Sequence, residues 1–239
     1  MRLWSVAFGA LALDLWSKDW IFKHLDRGEI VEAIPGALCF QRSINPGALF
    51  GLGHGLVWVF IIASFVALAF VLYLFAGSRP ERRFLHLALS CILAGSMGNL
   101  YDRIFVEADK VVLKGEDGSA GVTFYGRIIE GRDPRLVLIG QGLDGGHPVH
   151  RLPRTEILEI SKVGVVRDFL KFKPQIAGRD VWPWVFNVAD SLLVVGVSIL
   201  MICFWRDRKE HVSAGRVVAP PRMGAEGAGA GSKQVRQAS

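Results

Sequence analysis

Apolar residues arrive in four long blocks. The first covers about 3–23. The second is "LVWVFIIASFVALAFVLYLFAG" over 56–77. The third covers 84–105, and the fourth about 184–205. Each is close to the roughly 20 residues a helix needs to cross a bilayer's hydrocarbon. Between the third and fourth blocks the period changes. "KVVLKG", "GVTFYGRIIEG", "RLVLIGQG" and "TEILEISKVG" read as short strands, with "GEDGSAG", "GRDP" and "GLDGG" as turns between them. The stretch "EIVEAIPGALCFQRSI" reads as a strand-like, amphipathic platform on the membrane surface. The expected architecture is an α-helical membrane protein. It has four transmembrane helices, an extracytoplasmic β-like platform and a small inserted β module. Residues 1–105 hold three helices and the outer loop 24–55, and 106–163 the module. Residues 164–205 hold a loop and the fourth helix. The tail 206–239, rich in Gly, Ala, Pro and Arg with no apolar period, is expected to be disordered.

The apolar blocks carry polar interruptions. Asp14 and Lys18 lie in the first, Asn99, Asp102 and Arg103 in the third, and Asn187 and Asp190 in the fourth. A charged side chain at the bilayer centre costs about 2.5–3.5 kcal/mol even on insertion scales. Each group falls at helical i, i+3 or i+4 spacing, and all three fall at one depth. That coincidence points to one shared site. Taken singly, each has a plainer explanation. Asp14 and Lys18 make an intrahelical ion pair. Arg103 anchors a helix end at the interface. Asp168 in "VVRDFLKF" is a surface carboxylate, and Asn45 in "INPGALFGL", followed by Phe50, belongs to an ordinary loop. Gly95 and Gly98 allow close helix approach.

Composition sharpens the class. Of 239 residues, 51% are hydrophobic, and the formal charge is +6. The placement of that charge matters more than its sum. Arg2, the connection "SRPERR" (78–83) and the run Arg206, Asp207, Arg208, Lys209 fall on one side if four helices alternate. The positive-inside rule puts both termini there, in the cytoplasm. Residues 24–55 and about 106–183 then face outward. The first block lacks a small-x-small cleavage site and is expected to stay as an uncleaved span. No basic patch interleaved with aromatics suggests nucleic acid. Cys39, Cys91 and Cys203 are far apart, with no spacing for a disulfide framework or a metal. No metal or organic cofactor is expected.

Five blocks, in order, resemble the lipoprotein signal peptidases (signal peptidase II): "DLWSK", "NPGALFG", "GSMGNLYDR", "VVRDF" and "FNVAD". The resemblance covers 1–105 and 163–205. It implies an intramembrane aspartic endopeptidase of the bacterial inner membrane, active near the outer, periplasmic face. The implied substrates are prolipoproteins carrying a diacylglyceryl group on a cysteine, cut just before that cysteine. By match, Asp168 and Asp190 are the implied catalytic pair. Asn45, Asn99, Arg103 and Asn187 are expected to support the pair or bind substrate, and Asp14, Lys18 and Asp102 to brace the helices. The expected partners are lipid-modified prolipoproteins and membrane lipids, with the chain acting as a monomer. The insertion at 106–163 departs from the family's short link, and Asp168 must still return beside Asp190. A module whose ends lie close together would allow that.

The chemistry is consistent with the resemblance. Hydrolysis without a metal, Ser/His or Cys/His set needs an activated water and a proton donor, and two carboxylates sharing one proton supply both. Two rivals remain on sequence alone. A proton- or ion-coupled transporter would use the same polar residues, but it would gather them at the midplane and show an inverted repeat. A non-catalytic scaffold would explain the module but not a second carboxylate from "VVRDF".

Overall fold

The computed structural model describes residues 2–26, 28–47 and 57–217. Phe50 and residues 218–239 of the tail lie outside them. Four long helices are present among the described residues: α1 (Arg2–His24), α2 (Val57–Ala76), α3 (Arg83–Phe105) and α4 (Val188–Val217). Two-thirds of α3's most apolar window is buried, so it is the central helix. A core drawn from all four joins Ala7, Val71, Leu85, Leu89, Leu93 and Leu200.

The outward faces invert the usual pattern of a protein in water. Trp4, Phe8 and Trp16 on α1 are exposed, as are Trp58, Phe65 and Phe70 on α2 and Val194 and Met201 on α4. Asp14 and Lys18, by contrast, are fully buried. By length and composition α3 and the Val188–Lys209 part of α4 suffice to cross a bilayer, while the apolar part of α2, Ile61–Ala76, is shorter. In α1, the polar residues Asp14, Lys18, Asp19 and Lys23 dilute the run.

The fourth helix differs from expectation at both ends. It starts at Val188 rather than near 184, because Val185–Phe186 pairs as a strand and Asn187 caps the helix. It continues to Val217, into the stretch expected to be disordered. From Phe204 the chain forms a unit of its own. There Lys209 sits over the Trp205 ring, 3.6 Å from its centroid.

Two larger antiparallel sheets and a two-stranded hairpin complete the fold among the described residues. The first has the order β1 (Val31–Ile34), β2 (Leu38–Asn45), β8 (Val166–Phe172), β11 (Val185–Phe186). The platform expected over 24–55 is therefore half of a sheet, and "VVRDF" supplies a central strand rather than a loop. The second has the order β6 (Gly146–Pro153), β5 (Leu136–Gln141), β4 (Ala120–Ile129), β3 (Glu107–Lys114), β7 (Ile157–Gly164). Its core is Val111, Ile139 and Leu152, with Phe124 and Ile128 packed against them. Strand β6, "GHPVHRLP", carries no strand signal in sequence; its prolines are tolerated because it lies at the sheet edge. A short hairpin, β9 (Gln175–Ile176) with β10 (Arg179–Asp180), links β8 to β11.

The second sheet leaves and rejoins the chain at one point. Glu107 pairs with Gly164, and the Val165 N–H donates to the Val106 carbonyl at 2.9 Å. Gly164 is needed there, since a Cβ would fall 1.9 Å from the Arg103 carbonyl oxygen at the end of α3.

Candidate active site

The site is assembled where α1, α3, α4 and β8 meet. Its first element is a helix cap. The Asn187 side-chain oxygen accepts from the Asp190 N–H at 2.9 Å, and the Asp190 carboxylate accepts from the Asn187 N–H at 3.2 Å. This reciprocal capping box satisfies two N–H groups at the start of α4. Asp190 therefore stands in the first turn of a helix, where the dipole favours a negative charge.

The Asn187 amide does more than cap. Its Nδ2 donates to Asp168 Oδ1 at 2.6 Å and to Asn99 Oδ1 at 3.1 Å. Asn99 Nδ2 in turn donates to Asp190 Oδ1 at 2.8 Å. Two amides thus link the two carboxylates, Asp168 to Asn187 to Asn99 to Asp190. Asn45 also hydrogen-bonds Asp168, while its own Oδ1 accepts from the Gly47 N–H at 3.0 Å. Asp168 is 3% exposed, whereas Asp190 is only partly buried. Burial first, and then the nearby Asp190 charge, push the Asp168 carboxyl up to about 8.

Below this pair lies a buried ionic cluster. Lys18 Nζ is 2.8 Å from Asp14 Oδ2 and 3.4 Å from Asp102 Oδ2, and it donates to Asn99 Oδ1 at 3.2 Å. Asp14 Oδ1 accepts from the Ala189 N–H at 2.8 Å, tying α1 to the start of α4. Asp102 accepts from the Arg167 backbone N–H at 3.0 Å and from Arg167 Nη2 at 2.8 Å. That holds β8 one residue from Asp168. The packing demands small residues: a Cβ on Gly98 would meet Asp14 Oδ2 at 2.3 Å. Arg103 donates to the Asn99 carbonyl at 3.3 Å and interacts electrostatically with Asp190, Asp168 and Asp102.

All nine polar residues singled out in the sequence therefore converge. Arg167 and Ser43 escaped notice. Arg167 is the middle residue of "VVRDF", and only its pairing with Asp102 gives it a role. Ser43 sits opposite Asp168 across the β2–β8 ladder, a register no local signal predicts.

The model of the family described as signal peptidase (SPase) II matches residues 6–206. The chain belongs to the signal peptidase II family. Among relatives, the lipoprotein signal peptidase of Rhodopirellula baltica is 39% identical over 205 residues, spanning 83% of this chain and 69% of the relative. That of Desulfitobacterium hafniense (strain DSM 10664 / DCB-2) is 29% identical over 203 residues, spanning 82% and 92%. Two solved bacterial membrane enzymes share the fold. One has a TM-score of 0.57 at 20% identity, with 87% of this chain and 90% of the other covered. The second has a TM-score of 0.55 at 22% identity, with 86% and 94% covered. Membership makes the chain a peptidase, a hydrolase of the signal peptidase II type.

Proposed function

We propose that this protein removes the signal peptide from diacylglyceryl-modified prolipoproteins, cutting before the lipidated cysteine, with Asp168 and Asp190 as the catalytic pair. The observation that carries the reading is the amide-linked pair of carboxylates, one buried and one at a helix N-terminus. Charge balance supports a single shared proton. Lys18, Arg103 and Arg167 are three cations facing the four carboxylates of Asp14, Asp102, Asp168 and Asp190. One proton on the pair makes the cluster neutral, as a site at a membrane edge requires.

Asp168 holds that proton at the start, in keeping with its deeper burial. Asp190 accepts a proton from a water whose oxygen attacks the scissile carbonyl carbon, while Asp168 donates to the carbonyl oxygen. The tetrahedral diol then collapses. Its hydroxyl returns a proton to Asp168, the C–N bond breaks, and the leaving nitrogen takes the proton from Asp190. The products are the signal peptide's new carboxyl terminus and a free amino group on the lipidated cysteine. Asn99 and Asn187 hold both carboxylates in place, and Asn45 fixes Asp168 from the sheet side. Asp14, Lys18 and Asp102 brace the helices.

All four helices span the bacterial inner membrane in this reading, with both termini cytoplasmic and both sheets outside. The exposed apolar faces of α1, α2 and α4 support it. So do aromatic pairs near the helix ends on the sheet side: Trp16 with Trp20, Tyr101 with Phe105, and Trp182 with Trp184. The enzyme works as a monomer, because α1, α3, α4 and β8 of one chain complete the site.

The test uses purified wild type, Asp168→Asn and Asp190→Asn with a lipid-modified prolipoprotein and its unlipidated form, products being read by mass. Wild type cleaves only the lipidated form, and either variant lowers kcat by at least about 10³-fold, in the range of lost acid–base catalysis. Uncut lipidated substrate with folded wild type would refute the reading. Full activity in either variant would remove that residue from the pair.

A further inference from the structure

Between the two sheets lies a cavity of about 460 Å³. Its size is that of ligand-binding clefts, which run from about 300 to 1,000 Å³. Strand β2 provides one wall through Gln41, Arg42 and Ser43, and the five-stranded sheet provides the other through Phe124, Ile139 and His150. Neither sheet forms it alone. The cavity's lining reaches the strand position next to Asp168, because Ser43, which lines it, is the cross-strand partner of Asp168. Such partners have Cα atoms about 5 Å apart.

The lining has a distinct chemistry. Phe124 and Ile139 make an apolar floor continuous with the second sheet's core, and the His150 ring packs against Phe124 at a tilt, with ring centroids 4.7 Å apart. The ladder between β2 and β8 is irregular between Phe40 and Ser43, so Gln41 and Arg42 fall outside regular pairing. Gln41 Oε1 is buried with no donor among the described residues. Arg42 is the one lining residue with a permanent charge, and it is already engaged. Its Nη2 lies 3.0 Å from Asp144, its Nη1 donates to the Leu25 carbonyl at 3.1 Å, and its guanidinium is 4.9 Å from the Phe22 ring centre. The lining therefore has no spare permanent charge for a phosphate or carboxylate. Its polar walls also make it a poor bed for an acyl chain. An apolar floor between hydrogen-bonding walls suits an uncharged, extended polypeptide.

We propose that strand β2 and the inserted sheet form a subsite for the substrate chain just after the scissile bond. The proposal rests on the peptidase reading above. The portion of a prolipoprotein beyond its lipidated cysteine must leave the catalytic pair away from the membrane. Sheets with open edges cannot lie in hydrocarbon, so the cavity is on that side. A chain leaving the pair past Ser43 enters it. The insertion then reads the sequence of the released lipoprotein, a role beyond cutting at the lipidated cysteine.

The test compares two lipid-modified substrates, one with its natural continuation and one ending just past the cysteine. Wild type, Gln41→Ala and His150→Ala take one residue from each wall. Wild type favours the longer substrate in kcat/KM by about tenfold, the worth of a hydrogen bond or two. Each variant shrinks that ratio several-fold, through a higher KM for the longer substrate. Both substrates meet the same catalytic pair, so partial loss of folded enzyme cancels in the ratio. Equal rates for the two substrates in wild type, or an unchanged ratio in both variants, would overturn the subsite. If wild type cleaves neither substrate, the peptidase reading itself fails.

Discussion

Asn187 has two separable jobs. It caps α4 through its oxygen and holds Asp168 through its amide. Losing an N-cap costs about 1 kcal/mol, and leaving a buried acceptor such as the Asp168 carboxyl without its donor about 1–3 kcal/mol. Asn187→Ala is expected to lower both the unfolding temperature and kcat, the latter by about tenfold or more. Asn187→Ser restores the cap and hence the unfolding temperature, but not kcat. Measuring both in the two variants separates the roles. Asp168 makes a pH prediction. Its carboxyl is pushed up to about 8, far above an ordinary carboxylate. The pair keeps its proton below that value, so kcat falls as pH rises through about 8. Stability follows the same sign. The unfolded chain releases this proton near pH 4 while the folded one keeps it to about 8, so this group's contribution is greatest at low pH, declines across that window and then levels off. A pH–rate profile rising through pH 8 would contradict the assignment.

At the scale of elements, β8 is the least local part of the site. "VVRDF" carries Asp168, one of the two carboxylates proposed as the catalytic pair, but its position comes from pairing with β2, from Arg167 held by Asp102, and from the turn at Gly164. Gly164→Ala would drive a methyl into the Arg103 carbonyl, and backbone cannot give way as a side-chain tip can. The variant is expected to shift β8 and cut kcat by about 10²-fold, the scale of an ångström-sized misplacement. KM is expected to stay nearly unchanged, with the helices still folded by circular dichroism. The same element explains what escaped the sequence. Ser43 and Arg167 have no local signature, because their roles exist only across strands and against α3. The polar clusters of α1, α3 and α4 were readable, since i, i+3 and i+4 spacing alone puts each set on one face.

For the whole molecule, membrane placement follows from an inverted surface: apolar faces outward, an ionic cluster inside. Its sidedness is testable. In a background lacking the native cysteines, a cysteine at the exposed Glu116 of the module should react with an impermeant thiol reagent added to intact spheroplasts. One at the exposed Arg79 should react only after the membrane is opened. The reverse labelling would invert the topology drawn from the positive-inside rule. The insertion is compatible with the site because its two ends meet at the Val106–Val165 hydrogen bond, leaving the geometry between α3 and β8 short.

The sequence by itself determined the four apolar helices, the three polar clusters within them and the β character of the insertion. Each of these depends on periodicity within one segment, where backbone geometry fixes which residues share a face. It also carried the family, through five blocks in order. Only the tertiary structure decided that "VVRDF" is a central strand, that Asn187 follows a strand and caps a helix, and that the insertion shares a cavity with β2. The strand and the cavity depend on pairing between residues more than a hundred positions apart, such as Ser43 with Asp168, and the start of α4 on the pairing of Phe186 with Leu170. No local propensity encodes such a pairing, because its energy exists only once both partners are in place.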